Sequence, residues 1–157
     1  FGGQNCHHQN SGAFTGEISP TMLKSIGATH CLVGHSERRT LFHETNEDVA
    51  QKMAAAQTAG LTPVVCIGET AAEREQGKTL SVIERQMAAI NRAHQNSFPL
   101  VIAYEPVWAI GTGKVPTTPE IAEVHHFLRK NLKARGGGAV PLLYGGSVNA
   151  QNAKEIE

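Results

Sequence analysis

The stretch at residues 101–116, VIAYEPVWAIGTGKVP, decides how the rest of the chain is read. Val101, Ile102, Ala103 and Tyr104 make an apolar run too short for a helix and suited to a buried strand. The run ends on a carboxylate, Glu105, and Pro106 then removes a backbone donor and stops the ladder. Gly111 and Gly113 follow in an apolar tip, and Pro116 closes it. A carboxylate at a strand end, followed by a glycine-centred loop between proline-bearing stems, is the composition of a base beneath a closing lid. The same residues would also serve as a plain strand-to-helix connection with a surface glutamate.

Outward from this strand the pattern repeats. Residues 63–67, PVVCI, and 30–33, HCLV, are short apolar runs ending at Gly68 and Gly34, and residues 141–144, PLLY, end at Gly145. The ends at Gly34, Gly68, Glu105 and Gly145 are 34, 37 and 40 residues apart, the size of one βα unit. Residues 1–6, FGGQNC, open the chain as a further short strand, followed by a polar loop over residues 7–18.

Helices alternate with these runs. Ser19 and Pro20 start one that stops at Gly27, and Thr45 caps a longer one that stops at Gly60. A polar loop through Gly77 leads to a third with Leu80, Ile83, Met87 and Ile90 at helical spacing. Residues 118–120 begin a fourth, ended by Gly136, Gly137 and Gly138, and Asn149 starts one more. Five strands alternating with helices predict an α/β fold with a parallel sheet and chemistry at its carboxyl edge. Alternation alone does not choose between an open doubly wound sheet and a closed barrel.

Composition narrows the function. The chain has 157 residues, enough for a single domain over residues 1–157, with fourteen basic and fourteen acidic side chains that cancel. No global field favours nucleic acid or an anionic membrane, so an anionic substrate must be held by local donors. No apolar run approaches the roughly 20 residues of a membrane span. Cys6, Cys31 and Cys66 lack the close spacing of zinc ligands and read as buried free thiols of a reducing cytoplasm.

Two further clusters carry chemistry. In GHSERR, His35 falls where a strand passes into a helical turn, whose unsatisfied amides favour a neutral imidazole. Such a ring can donate to a carbonyl oxygen, or simply cap its own turn. A hydrolase reading of Ser36 is weak, because Arg38 stands where a nucleophile elbow needs glycine. In YGGS, Gly145 and Gly146 let the backbone approach a ligand, and their amides with the Ser147 hydroxyl could hold a phosphate or form an ordinary turn. GTGK at residues 111–114 lacks the glycine spacing of a P-loop. Arg38 and Arg39, His7 and His8, and His125 and His126 read as solvated or salt-bridged pairs.

GHSERR, AYEPVWAIGTGK and YGGSV, in this order and at these separations, resemble the triosephosphate isomerase family, with GAFTGEIS and CIGE in support. The resemblance runs over the whole chain. It implies part of a (β/α)8 TIM barrel, with about five of the eight strands present, which interconverts two triose phosphates without metal or organic cofactor. The family is itself the usual illustration of a carboxylate base paired with a neutral imidazole. On this resemblance Glu105 is the catalytic base, His35 the electrophile and Glu37 a second carboxylate near the site. Residues 107–115 are the lid, and Gly111, Ser147, Gly145 and Gly146 hold the substrate phosphate. Thr15 matches a loop tip that inserts into the partner of a homodimer. Such a barrel needs ~250 residues. The chain is therefore expected to be an internal piece lacking the first two βα units, with the family's lysine, and the last strand. The 157 residues alone are expected to be inactive. The competing expectation is a non-catalytic βα module that folds by docking onto another chain.

Overall fold

The computed structural model describes residues 1–94, 98–110, 112 and 114–156. Five strands form one sheet: β1 (Gly2–Gly3), β2 (His30–Val33), β3 (Thr62–Ile67), β4 (Val101–Tyr104) and β5 (Leu142–Tyr144). Every pairing is parallel and the order is β1-β2-β3-β4-β5. Register runs from Gly3 opposite Cys31, through Val33 opposite Val65 and Ile67 opposite Tyr104, to Tyr104 opposite Tyr144.

This order decides what alternation left open. A doubly wound sheet reverses its strand order at a switch point, whereas here each crossover lands on the next neighbour without reversal. The architecture is α/β, an arc of five strands of a (β/α)8 barrel.

The crossovers are helical. They carry α1 (Pro20–Ser25), α2 (Ser36–Leu41), α3 (Asn46–Thr58), α4 (Ala71–Glu75), α5 (Thr79–Ala93) and α6 (Thr118–Lys133), with α7 (Ala153–Ile156) after β5. Successive crossover helices lie side by side, α1 on α3 and α3 on α5. Met53 of α3, Ile83, Met87 and Ile90 of α5 and Leu128 of α6 are fully buried with Ile67 and Ile102 of the strands. Burying each such side chain contributes about 1.5–3 kcal/mol, which fixes the rotation of each helix on the sheet.

Local chemistry starts and stops these elements. Ser19 Oγ accepts from the Met22 amide at 3.2 Å. Thr45 and Asp48 close a reciprocal capping box at the start of α3, as do Thr117 and Glu120 at the start of α6. Some boundaries differ from the sequence reading, and the opening strand expected over residues 1–6 is confined to Gly2–Gly3. The loop expected between β3 and α5 contains α4, started by a capping box of Thr70 and Glu73. Asn149 caps a single turn ahead of α7, which starts at Ala153: its Oδ1 accepts from the Gln151 and Asn152 amides at 2.9 and 3.1 Å and its carbonyl from the Ala153 amide at 3.0 Å. All three cysteines are free and buried, as expected. No helix among the described residues is long and apolar enough to cross a membrane.

Candidate active site

The carboxyl ends of β2, β4 and β5 bring the sequence-derived residues to one edge of the sheet. Glu105 directly follows β4, and its amide still donates to Ile67 O of β3 at 2.8 Å. Its side chain is only 5% exposed. One carboxylate oxygen, Oε1, accepts from the Ser36 amide at 2.5 Å, and the other, Oε2, lies 3.3 Å from His35 Nε2.

Burial pushes the Glu105 carboxyl above its ordinary value, opposed in turn by His35, the Ser36 amide and Arg39. The result is a carboxylate held at the top of the sheet with its proton affinity raised, as a base requires.

His35 is the N-cap of α2. Its Nδ1 accepts from the Glu37 amide at 3.2 Å. An accepting Nδ1 puts the proton of a neutral ring on Nε2, the nitrogen that faces Glu105. Glu37 thus enters the site through its backbone. Its side chain is exposed, and its carboxylate has no partner among the described residues.

Arg39 braces the same edge. Its guanidinium donates to Gly34 O at 2.8 Å, Asn46 Oδ1 at 2.8 Å and Cys66 O at 3.2 Å, tying the ends of β2 and β3 together. Arg38 pairs with Glu44 at 2.7 Å. Arg38 is salt-bridged, as the sequence suggested, whereas Arg39 is hydrogen-bonded to carbonyl and amide oxygens and to no carboxylate in these contacts.

After β5 the chain passes beneath the lid stem. The Gly145 amide donates to Tyr104 O at 2.7 Å, so it belongs to the ladder. A Cβ on Gly145 would sit 3.4 Å from that of Glu105, which places this turn against the base. A Cβ on Gly146 would collide with the Tyr144 hydroxyl, itself buried without a partner among the described residues. Ser147 Oγ reaches Ala109 O at 3.5 Å, the outer limit of a hydrogen bond. Gly111 lies outside the described residues.

Sequence reasoning did not anticipate the anchor of the lid stem. Residues Val107–Ala109 form a single 3-10 turn. Trp108 Nε1 donates to Glu69 Oε1 at 2.8 Å, and Tyr104 Oη donates to the same carboxylate at 3.1 and 3.2 Å. Glu69 is fully buried, and Arg74 of α4 adds a contact at 3.4 Å while its guanidinium lies 4.4 Å over the Trp108 ring. Burial and the Glu69 charge push the Tyr104 phenol upward, so it remains a donor. The CIGE stretch marked Glu69 only as a strand end. Its role needed the positions of Trp108 and Tyr104, thirty-five or more residues away.

Among the described residues no three His, Cys, Asp or Glu side chains converge as a metal-ligand set. The chemistry available is that of a buried carboxylate, an imidazole with an oriented Nε2–H, and backbone donors in the turn after β5: proton transfer next to an oxygen that the imidazole polarises.

Comparison with known proteins points the same way. The family model for triosephosphate isomerase matches residues 1–157. A triosephosphate isomerase of Ruegeria sp. (strain TM1040) is 56% identical over 159 residues, covering 99% of this chain and 65% of the relative. That of Magnetococcus marinus is 52% identical, covering 99% and 64%, and that of Aquifex aeolicus is 50% identical, covering 99% and 65%. The chain thus spans just under two thirds of the length of these relatives.

Proposed function

The chain belongs to the triosephosphate isomerase family, and on that premise we propose that the intact gene product interconverts dihydroxyacetone phosphate and glyceraldehyde 3-phosphate. Residues 1–157 contribute to one barrel domain, with Glu105 and His35 in catalytic roles and Glu37 orienting the imidazole through its amide. The observation that carries this reading is the 3.3 Å approach of His35 Nε2 to the buried Glu105 carboxylate.

Glu105 removes a proton from the carbon beside the substrate carbonyl. The C–H electron pair forms the enediolate double bond, and the carbonyl pair moves to oxygen, where His35 Nε2–H donates. The hydroxyl proton on the carbon that lost its hydrogen passes to the former carbonyl oxygen beside His35 Nε2, which leaves the charge on the other oxygen. That oxygen's electron pair forms the new carbonyl while the C=C pair takes the proton from Glu105 at the former carbonyl carbon, which gives the isomeric triose phosphate and restores the carboxylate. To reach carbon, the carboxylate must release the Ser36 amide that now holds Oε1. The Glu37 amide keeps the imidazole oriented throughout, and this is the form in which Glu37 serves the site.

The substrate phosphate is assigned to Gly111 on the lid and to Ser147 with Gly146, while Gly145, whose amide stays in the ladder, shapes the turn that carries the latter two. The Ser147 hydroxyl's long contact to Ala109 supports this, because so weak a bond is readily exchanged for a phosphate oxygen. No metal or organic cofactor is called for in this scheme.

The intact protein is proposed to act as a cytoplasmic homodimer. Phe14, Ile18 and Met22 are 42%, 49% and 54% exposed on and beside the loop that carries Thr15, an apolar surface suited to a partner subunit. Three buried free thiols fit a reducing compartment.

Steady-state turnover of Glu105→Asp in the intact gene product tests the reading. Withdrawing the carboxylate by about one methylene is expected to lower kcat ~10²-fold with the fold unchanged. Undiminished turnover would remove Glu105 as the base.

A further inference from the structure

We propose that Gln86, on the buried face of α5, is a positioning residue that fixes the backbone beneath Glu105 through Gly68. The proposal rests on the reading of Glu105 as the base, and it arises from how β3 ends.

Past Val65, β3 outlasts its neighbour. The β2 pairing stops at Val33 opposite Val65, because the chain turns into α2 at Ser36, while the β4 pairing continues to Ile67 opposite Tyr104. On the β4 side, Ile67 O accepts from the Glu105 amide at 2.8 Å and Glu69 O from the Val107 amide at 3.1 Å. The intervening peptide groups of β3 face the side that β2 has left, where an unpaired buried donor or acceptor is costly.

Side chains take the place of the missing strand. Arg39 donates to Cys66 O at 3.2 Å. Gln86 serves both groups of Gly68: its Oε1 accepts from the Gly68 amide at 2.9 Å, and its Nε2 donates to Gly68 O at 3.1 Å. The two partners fix which end of the amide is oxygen, since the reverse orientation would oppose donor to donor. Gln86 is 8% exposed, so water does not substitute for it.

Gly68 transmits this hold to the base. A Cβ on Gly68 would overlap the Glu105 carbonyl, so the two backbones are in direct contact. With Ile67 and Glu69 bonding on either side, the Gly68 peptide is a template that sets the height and tilt of the Glu105 backbone. Without Gln86 the template would be free to shift toward the vacated β2 side.

The test compares Gln86→Met, which keeps volume and removes both hydrogen bonds, with Gln86→Glu, which keeps an acceptor for the Gly68 amide but loses the donor to Gly68 O. Glu105→Asp is measured alongside, all in the intact gene product and well below each variant's melting temperature. A shift of about 1 Å at the base corresponds to ~10²-fold in rate, so Gln86→Met is expected to lower kcat by ~10–100-fold. KM should change by less than about threefold, since the phosphate donors are untouched, and the acid limb of the kcat/KM profile should move. Gln86→Glu should fall between Gln86→Met and the parent.

A folded Gln86→Met with parental kcat and an unmoved acid limb, beside a crippled Glu105→Asp, would overturn the positioning role. If Gln86→Met does not fold, Gln86→Glu is judged by the same criterion, and failure of both to fold would overturn the proposal by making the contact a folding determinant only. Parental turnover in Glu105→Asp would instead overturn the base assignment, whatever Gln86 does.

Discussion

Glu105 is held where burial opposes its charge, and the Ser36 amide and His35 only partly compensate. The folded chain therefore binds this proton more tightly than the unfolded chain, whose carboxyl titrates near its ordinary value of 4.5. Below that value the contribution to stability is fully present. As pH rises the unfolded state deprotonates first, and the contribution is lost progressively until pH passes the raised value of the folded state. Glu105→Gln removes the charge while its Oε1 can still accept from Ser36. The melting temperature of this variant is expected to match the parent near pH 4 and to exceed it by a margin that grows and then levels off toward pH 8. A constant difference across that range would mean that the Glu105 charge is not strained by its surroundings. On the proposed reading of Glu105 as the base, it is a residue at which stability is exchanged for reactivity.

At the scale of elements, the lid stem is tied to β3 rather than to its own strand. Glu69 is a buried carboxylate with donors from β4, from the 3-10 turn and from α4, so three elements meet on one anion. Trp108→Phe keeps an aromatic ring but loses the fused pyrrole with its Nε1–H, leaving Glu69 one donor short at a cost of about 1–3 kcal/mol. The variant is expected to melt lower and to be cut faster by trypsin after Lys114, the exposed basic residue of the lid. Cleavage at the parental rate would show that the stem is held by packing alone. These contacts mark where the sequence stopped being informative. Glu105, His35 and the glycines after β5 are contiguous with strand ends, so short motifs reveal them. Gln86 sits between Ile83 and Ile90 in an apolar stripe, and helical spacing alone reads it as an interruption of the core. The start of α4 did carry a signal, Thr70 followed three residues later by Glu73, but the polar run around it concealed a helix of one turn.

For the whole molecule, alternation of strands and helices fixed the class but not the closure, because periodicity carries no information on which strands are neighbours. Sequential pairing without reversal supplies that information and makes the sheet an arc. An arc has two outer edges, and among the described strands those are β1 and β5. Such edges present unpaired amides and carbonyls that template association with other chains. The 157 residues produced by themselves are therefore expected to associate with rising concentration and to show turnover at least ~10³-fold below a full-length relative, since electrostatic and positioning groups act as a unit whose partial removal costs such factors. Sedimentation velocity over a range of concentrations, with a coupled isomerase assay on the same samples, measures both. A monomeric and fully active 157-residue chain would show that the arc stabilises its own edges and that Glu105, His35 and the residues after β5 suffice for the chemistry. Association without activity would place the remaining determinants outside these residues, on whatever completes the barrel.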